Sequence, residues 1–174
     1  MIQKLEEIKM KPIGFVKVKG EDTMSADYSL EIFEKYRPAL KELESFSHVM
    51  VFWWAHQNDS EEIRNSKEVL TVIPPYGDQT PETGIFATRS EFRPNPIALT
   101  TSKIVDIDQH NGSVKLTGID ALDGTPIVDL KAYFPICDRI RDCYIAPWLE
   151  GWPEWQEEGF EWWVEQGFFK EYEE

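Results

Sequence analysis

Residues 48–55 read His-Val-Met-Val-Phe-Trp-Trp-Ala, an unbroken apolar run of strand length. Its β-branched and aromatic side chains suit a pleated surface better than a helix. The run is expected to be a central strand covered on both faces. Other short strand-like runs surround it. Residues 12–19 end in strict alternation, and 28–33, 68–73, 84–88, 97–107, 113–119 and 126–133 follow. Turn signals separate them at Pro74-Pro75-Tyr76-Gly77-Asp78, Asn111-Gly112 and Asp123-Gly124, the last of which reads as the tip of a hairpin within 120–133. Residues 36–43 are expected to form a short helix that starts at Pro38. Many short strands with little helix between them predict a mainly β fold, a small barrel or a sandwich.

The C-terminus has another character. Residues 148–174 hold nine Glu against one Lys, and five of the seven tryptophans: Trp148, Trp152, Trp155, Trp162 and Trp163. This divides the chain into a β domain over 1–147 and an acidic, aromatic extension over 148–174. The extension is expected to be helical from about Glu154, with its rings against the barrel or a partner subunit, or over a pocket as a lid.

Charge limits the partners. The chain carries 18 basic and 32 acidic residues, a net −14. Such a field repels phosphate at long range, so nucleic acid has to be met by a local basic patch. Residues 1–7 are charged where a secretory signal needs an apolar run, and no stretch is long and apolar enough to span a bilayer. No membrane partner is expected, and the reading is cytoplasmic. Cys137 and Cys143, with His48, His56 and His110, match no familiar metal spacing; no metal site is expected, and the thiols read as ordinary buried side chains.

Three segments carry chemistry. Residues 84–96 read Gly-Ile-Phe-Ala-Thr-Arg-Ser-Glu-Phe-Arg-Pro-Asn-Pro. Pro94 and Pro96 bias Arg93 and Asn95 towards extended backbone, which makes a stiff loop that presents Arg89 and Arg93. Two guanidinium groups with nearby hydroxyls and an amide suit a carboxylate or a phosphate; equally, the arginines could pair with the chain's many acidic residues. In 120–133, Asp129, Lys131 and Tyr133 alternate along one strand and so share a face. That face is either a proton-handling group or a salt-bridged exterior. Phe46-Ser47-His48 precedes the apolar run, and a lone histidine there is more often structural than catalytic.

Taken in order, Pro12-Ile13-Gly14, Phe46-Ser47-His48 with Val-Met-Val-Phe-Trp-Trp, residues 84–96, and Asp-Ala-Leu-Asp-Gly-Thr-Pro-Ile-Val-Asp-Leu-Lys at 120–131 resemble the signature blocks of the TrmO (YaeB, TsaA-like) family. The resemblance covers about residues 12–138. It implies a compact β-barrel methyltransferase that uses S-adenosylmethionine, assembles as a homodimer and binds its cofactor near the subunit interface. The chain has no Gly-x-Gly, so the usual dinucleotide fingerprint is absent. The implied substrate is N6-threonylcarbamoyladenosine beside the tRNA anticodon, methylated on N6. By position, the resemblance puts Phe86, Ala87, Thr88, Arg89, Ser90, Arg93 and Asn95 at the cofactor. Asp120, Leu122, Asp123 and Thr125 form its other wall, and His48 lies nearby. Arg89 or Arg93 is assigned to the cofactor's carboxylate; Asp129, Lys131 and Tyr133 are assigned to the proton or the developing charge.

The chain also departs from the family pattern. Pro96-Ile97-Ala98-Leu99-Thr100 stands where the family has Pro-Ile-Gly-Leu-Ser, and Asp129-Leu130-Lys131-Ala132-Tyr133 where it has Asp-Ile-Lys-Pro-Tyr. Residues 72–78 lack the family's Arg-Pro-Pro stretch, and the acidic extension stands where many bacterial members carry a further domain. The departures fall on the tRNA-facing parts. They leave two alternatives: a methyltransferase of the same fold acting on a small molecule or a protein, and a non-catalytic S-adenosylmethionine-binding module.

Overall fold

The computed structural model describes residues 8–20, 26–77 and 79–167. Among the described residues eight strands are formed: β1 (Gly14–Lys19), β2 (Asp27–Ile32), β3 (His48–Trp54), β4 (Thr71–Val72), β5 (Thr83–Gly84), β6 (Ile97–Asp108), β7 (Ser113–Leu116) and β8 (Pro126–Ala132). Three short helices accompany them: α1 (Glu61–Arg64), α2 (Pro135–Asp138) and α3 (Gln156–Glu165). Six strands close into a barrel in the order β1-β2-β7-β6-β3-β8, and β4 and β5 pair separately. The mainly β expectation therefore resolves to a barrel. Closure removes the sheet edges that a sandwich of such short strands would leave unpaired.

Alternation fills the interior. Val16, Leu30, Val49, Val51, Val114 and Ile127 are fully buried, and Ile32, Trp53 and Leu116 nearly so. Along β2, β3 and β7 they stand two residues apart, as a period of two requires. Trp53 brings a polar N–H inside, and its Nε1 donates to Thr100 Oγ1 at 3.1 Å. The long β6 pairs with β3 as far as Lys103 and with β7 from Ile104; a register shift between Ile104 and Asp106 marks the bulge where it turns from one to the other.

Several expectations need correction. β3 is not covered on both faces: Val49, Val51 and Trp53 point into the barrel, while Met50, Phe52 and Trp54 are half-buried outside it. Its unbroken apolarity comes from an apolar outer face. Residues 120–133 are not a hairpin. β8 pairs with β1 and β3, and the Asp123-Gly124 turn is tied to β1 through Gly124 N–H to the Val16 carbonyl at 2.8 Å. The expected helix over 36–43 is a 3-10 segment, Glu34–Leu40, with Pro38 inside it. Proline has no N–H to continue an α-ladder, and the tighter turn tolerates the loss in a short piece. The expected strands at 68–73 and 84–88 shrink to the two-residue β4 and β5, flanked by 3-10 turns at Lys67–Val69 and Ile85–Ala87. Both thiols, Cys137 and Cys143, are exposed rather than buried. They sit on a stretch whose apolar side chains Ile136, Ile140 and Tyr144 are exposed as well.

The chain divides into two compact units, residues 1–74 with 82–139, and residues 75–81 with 140–174. In the second unit α3 begins with Glu157 and Glu158 in its first turn, where the helix dipole favours acids, and ends before Gly167 at φ +79°. The tail's rings pack on one another and on Tyr76. Tyr76 stacks on Trp148 at 6.2 Å and meets Trp152 edge-on at 4.8 Å, and Trp152 contacts Trp162 and Trp163, each at 4.9 Å. Residues 168–174 of the expected helix, and Asp78 of the expected turn, lie outside the described residues.

Gly14 opens β1 where the chain passes closest to β2. A Cβ there would stand 2.2 Å from the Glu31 carbonyl oxygen, which is backbone and cannot swing away. Gly14→Ala is expected to cost about 1–3 kcal/mol of stability, as overpacking does. Gly84→Ala, with nothing within 4 Å of its added methyl, serves as the control. Urea unfolding of the two variants measures the difference, and equal midpoints would refute the close-approach argument.

Candidate functional site

The segment after β5 folds as a chain of small hydrogen-bonded turns. Thr88 Oγ1 donates to the Ile85 carbonyl at 2.9 Å and accepts from Ser90 N–H at 3.2 Å; Ser90 Oγ in turn accepts from Phe92 N–H at 3.2 Å. These hydroxyls do in the loop what ladder bonds do in a strand. Arg89 Nη2 reaches across to the Leu99 carbonyl at 2.8 Å, and Arg93 Nη1 to the Ser90 carbonyl at 3.2 Å. The loop so held encloses a cleft of about 420 Å³ lined by Phe86, Thr88, Arg89, Arg93, Pro94, Asn95, Ile97, Ala98 and Leu99. Its volume lies within the range of small-molecule sites.

Electrostatics decides between the two readings of the arginines. The ion pairs among the described residues are Arg64–Asp59 and Lys131–Asp129. Neither Arg89 nor Arg93 takes part in one, so both keep donors free towards the cleft. Phe86, at the rim, is 81% exposed and offers a bare aromatic face.

The barrel sets this cleft beside the second chemical segment. Across β6, β3 and β8, Leu99 stands opposite Phe52, and Phe52 opposite Asp129; in the next row Thr101, Met50 and Lys131 are aligned. One outer face thus runs from the cleft wall to the Asp129–Lys131 pair. Lys131 Nζ lies 2.8 Å from Asp129 Oδ2 and 5.8 Å from the centre of the Phe52 ring. The hydrogen bond that Lys131 donates to Asp129, with the charge of that carboxylate, raises the Lys131 pKa, so this side chain is an ammonium at neutral pH. Tyr133 follows the end of β8, its N–H bonded to the His48 carbonyl at 3.0 Å.

The other sequence-selected residues are distributed differently. Asp123 and Thr125 fasten the loop before β8 to β1: Asp123 Oδ1 accepts from Val18 N–H at 3.0 Å, and Thr125, buried, accepts from Val16 N–H at 2.9 Å. Leu122 is 61% exposed on the same turn. Ala87 is exposed, and Ser90 spends its hydroxyl within the loop. His48 is grouped with Ser47, whose Oγ lies 2.8 Å from Nδ1, and with the Tyr133 ring at 6.2 Å. Six residues along β3 from Trp54, it is about 20 Å from the strand end that adjoins the cleft. Asp120 is exposed and acts on Glu91, whose pKa is raised first by burial and then by the charge of Asp120. Sequence reasoning missed Glu91, and it missed the cleft walls Pro94, Ile97, Ala98 and Leu99. Their chemistry is bland, and only the pairing of β6 with β3 reveals their position.

With this geometry in place, comparison with known proteins is informative. Residues 17–139 match the tRNA-methyltransferase O N-terminal domain. The chain belongs to that family. The match takes in the cleft, the loop at 120–125 and the Asp129–Lys131 pair, and it ends where the first compact unit ends. Among similar proteins, an S-adenosyl-L-methionine-binding protein of Archaeoglobus fulgidus is 33% identical over 76% of this chain and 94% of its own length. A second protein of that organism, described as a probable S-adenosyl-L-methionine-binding protein, is 38% identical over 70% of this chain, yet the match spans only 30% of its length. The tRNA (adenine(37)-N6)-methyltransferase of Escherichia coli is 37% identical over 68% of this chain and half of its own. The crystal structure of TrmO from Pseudomonas aeruginosa superposes with a TM-score of 0.61 at 27% identity, over 81% of this chain and 62% of that one. The chain therefore spans the shared barrel and only part of several larger relatives.

The carboxyl pair at the back of the loop provides a test. If the charge of Asp120 adds to burial in raising the Glu91 pKa, Asp120→Asn should bring it down towards the ordinary carboxylate range. Carbon-detected titration of the Glu91 carboxyl would read the shift directly. A midpoint unchanged by the substitution would leave burial as the sole cause.

Proposed function

We propose that this protein is an S-adenosylmethionine-dependent methyltransferase that modifies tRNA, placing a methyl group on N6 of N6-threonylcarbamoyladenosine beside the anticodon. The observation that carries the reading is the pair of unpaired guanidinium groups, Arg89 and Arg93, in a cleft whose wall continues into the Asp129–Lys131 pair. The family membership and the names of its relatives support the cofactor class.

The donor set fits the cofactor. Arg89 or Arg93 binds its carboxylate by paired, charge-assisted hydrogen bonds. Phe86 stacks on the adenine, and Thr88 and Asn95 supply neutral polar partners. Asp120 and Leu122 approach from the neighbouring loop, which Asp123 and Thr125 hold against β1. When bound, the cofactor supplies a sulfonium methyl group open to in-line displacement. The protein's part is alignment, and a positioned pair of reactants gains several orders of magnitude without further chemistry.

The acceptor nitrogen of a carbamoylated adenosine is a weak nucleophile until its proton leaves. Asp129 is the acceptor for that proton, and Lys131, held as a cation, stabilises the negative charge that develops on the carbamoyl oxygen. Tyr133 adds a hydroxyl on the same side. The half-buried apolar strip of Trp54, Phe52 and Met50 with Ile97 and Leu99 is the surface on which a second copy docks. The homodimer so formed would carry His48 and Tyr133 of one protomer to the cleft of the other. No described helix is long and apolar enough to cross a membrane, and a tRNA substrate supports a cytoplasmic location.

A second reading has its own observation. Relatives that match over nearly their whole length are named only for binding S-adenosylmethionine, and the net charge of −14 disfavours a polyanionic substrate. A methyltransferase for a small molecule or protein, or a binding module without activity, would keep the cleft and dispense with tRNA.

Deleting the gene in its organism and weighing the tRNA nucleosides by mass spectrometry separates these readings. Loss of the N6-methylated threonylcarbamoyl nucleoside, restored by the wild-type gene and not by Arg89→Ala, is the expected result. An unchanged profile would move the substrate elsewhere. In vitro, Arg89→Ala and Arg93→Ala together should weaken cofactor binding by about 10- to 100-fold, the value of hydrogen bonds to a charged group. Phe52→Lys, which puts an ammonium into the apolar strip, should turn the dimer into monomers by light scattering. A dimer that survives it would relocate the interface.

A further inference from the structure

The stretch from Ala55 to Arg64, which follows β3 and ends with α1, grips the cleft loop from behind at three points. Ala55 N–H donates to the Pro96 carbonyl at 2.8 Å. Asn58 Nδ2 donates to Glu91 Oε2 at 3.1 Å. Arg64 Nη1 donates to the Pro94 carbonyl at 2.9 Å. Pro94 lies between Arg93 and Asn95, so the last bond falls on the residue that sets the direction of both cleft side chains. A proline carbonyl in an exposed loop has no ladder partner of its own, and this bond supplies one.

Arg64 is itself held. Its Nε donates to Asp59 Oδ1, and Asp59 Oδ2 accepts from Trp54 Nε1 at 2.8 Å. The Arg64 guanidinium lies 5.8 Å from the centre of the Trp54 ring. Ser60 caps α1 by accepting from Ile63 N–H at 3.2 Å, which fixes the one-turn helix that carries Arg64. The hydrogen bond from Arg64 comes first among the causes that keep the Asp59 carboxyl below its ordinary pKa. The pair thus stays ionised through the neutral range and would be lost only as pH falls into the acid range.

We infer that Arg64, oriented by Asp59 and Trp54 and seconded by Asn58, is a positioning residue that holds the Arg93–Asn95 lip of the cleft in its binding geometry. The inference rests on the reading of the cleft as an S-adenosylmethionine site and adds to it residues that touch no ligand. A planar fork serves both partners, because one edge meets Asp59 while another nitrogen meets the carbonyl. A lysine ammonium has no such fixed geometry.

The test uses the full chain as wild type, Arg64→Met, Arg64→Lys and Asn58→Ala. Calorimetry measures S-adenosylmethionine binding, and hydrogen exchange measures the backbone amides of Phe92 and Ile97, which are hydrogen-bonded on either side of the lip, against those of Val49 and Val51 in the barrel. Arg64→Met should weaken binding by about tenfold or more, since small misplacements at a site are costly. Its amides at Phe92 and Ile97 should exchange faster while those of β3 stay protected. Arg64→Lys should recover only part of the loss, and Asn58→Ala should show a smaller effect of the same kind. Unchanged affinity in folded Arg64→Met overturns the inference. So does faster exchange spread equally over β3, which would make Arg64 a general stabiliser. Should Arg64→Met fail to fold, Asn58→Ala and Arg64→Lys carry the same two readouts. If the wild type itself binds no S-adenosylmethionine, the cofactor reading falls, and the exchange comparison still decides whether the brace holds the lip.

Discussion

The pairing of β3 with both β6 and β8 is the constraint on which the rest of the molecule depends. It buries Val49, Val51 and Trp53 in the barrel, and with the same hydrogen bonds it lays three distant segments side by side. Leu99, Phe52 and Asp129 fall in one row only because the register is what it is. A slip of one residue would reverse every side chain between core and surface. The buried valines therefore hold the site's geometry as well as the fold. The cleft wall and the acid–ammonium pair cannot be separated without unfilling the core.

The sequence was legible where a period or a local chemistry decides the outcome. β1, β2, β6, β7 and β8 lie close to the strand-like runs read at 12–19, 28–33, 97–107, 113–119 and 126–133. The loop at 84–96 stood out by its prolines and arginines, while its chemistry left a ligand site and internal ion pairs equally open. What could not be read was pairing. Asp123-Gly124 announces a reversal of the chain but not its partner, and the strand that follows joins β1 and β3 instead of its predecessor. Apolarity misled at β3, because outward Met50, Phe52 and Trp54 look the same in a sequence as buried ones. It misled again at Cys137 and Cys143, whose apolar neighbours are themselves exposed. Arg64 left no signal at all: its acceptor is a backbone carbonyl thirty residues away, and a carbonyl is present at every residue.

The cleft loop shows how a segment with little regular structure is kept rigid. Between Gly84 and Ile97 the hydroxyls of Thr88 and Ser90 bond the Ile85 carbonyl and the Ser90 and Phe92 N–H groups, and Asn58 and Arg64 bond the Glu91 carboxyl and the Pro94 carbonyl. This leaves Arg89 and Arg93 with one backbone bond each and with nitrogens to spare. Had either found a carboxylate among the 32 acidic residues, its desolvation would already be offset and its attraction for an anionic ligand spent. Two guanidinium groups on one stiff loop, neither of them in an ion pair, give the cleft its cationic character.

The acidity itself bears on any tRNA reading. Residues 148–174 carry −8 of the net −14, which leaves −6 for the rest of the chain. At physiological ionic strength the screening length is about 8 Å, so a phosphate near the cleft responds mainly to the charges immediately around it. There it meets Arg89 and Arg93, both unpaired, and Lys131, whose charge Asp129 largely offsets. An acidic body with a small cationic cleft binds polyanions weakly and selects for a ligand that fits. Affinity must then come from the fit of the modified base and cofactor rather than from the phosphate backbone, and a shallow dependence on salt is the physical signature of that arrangement.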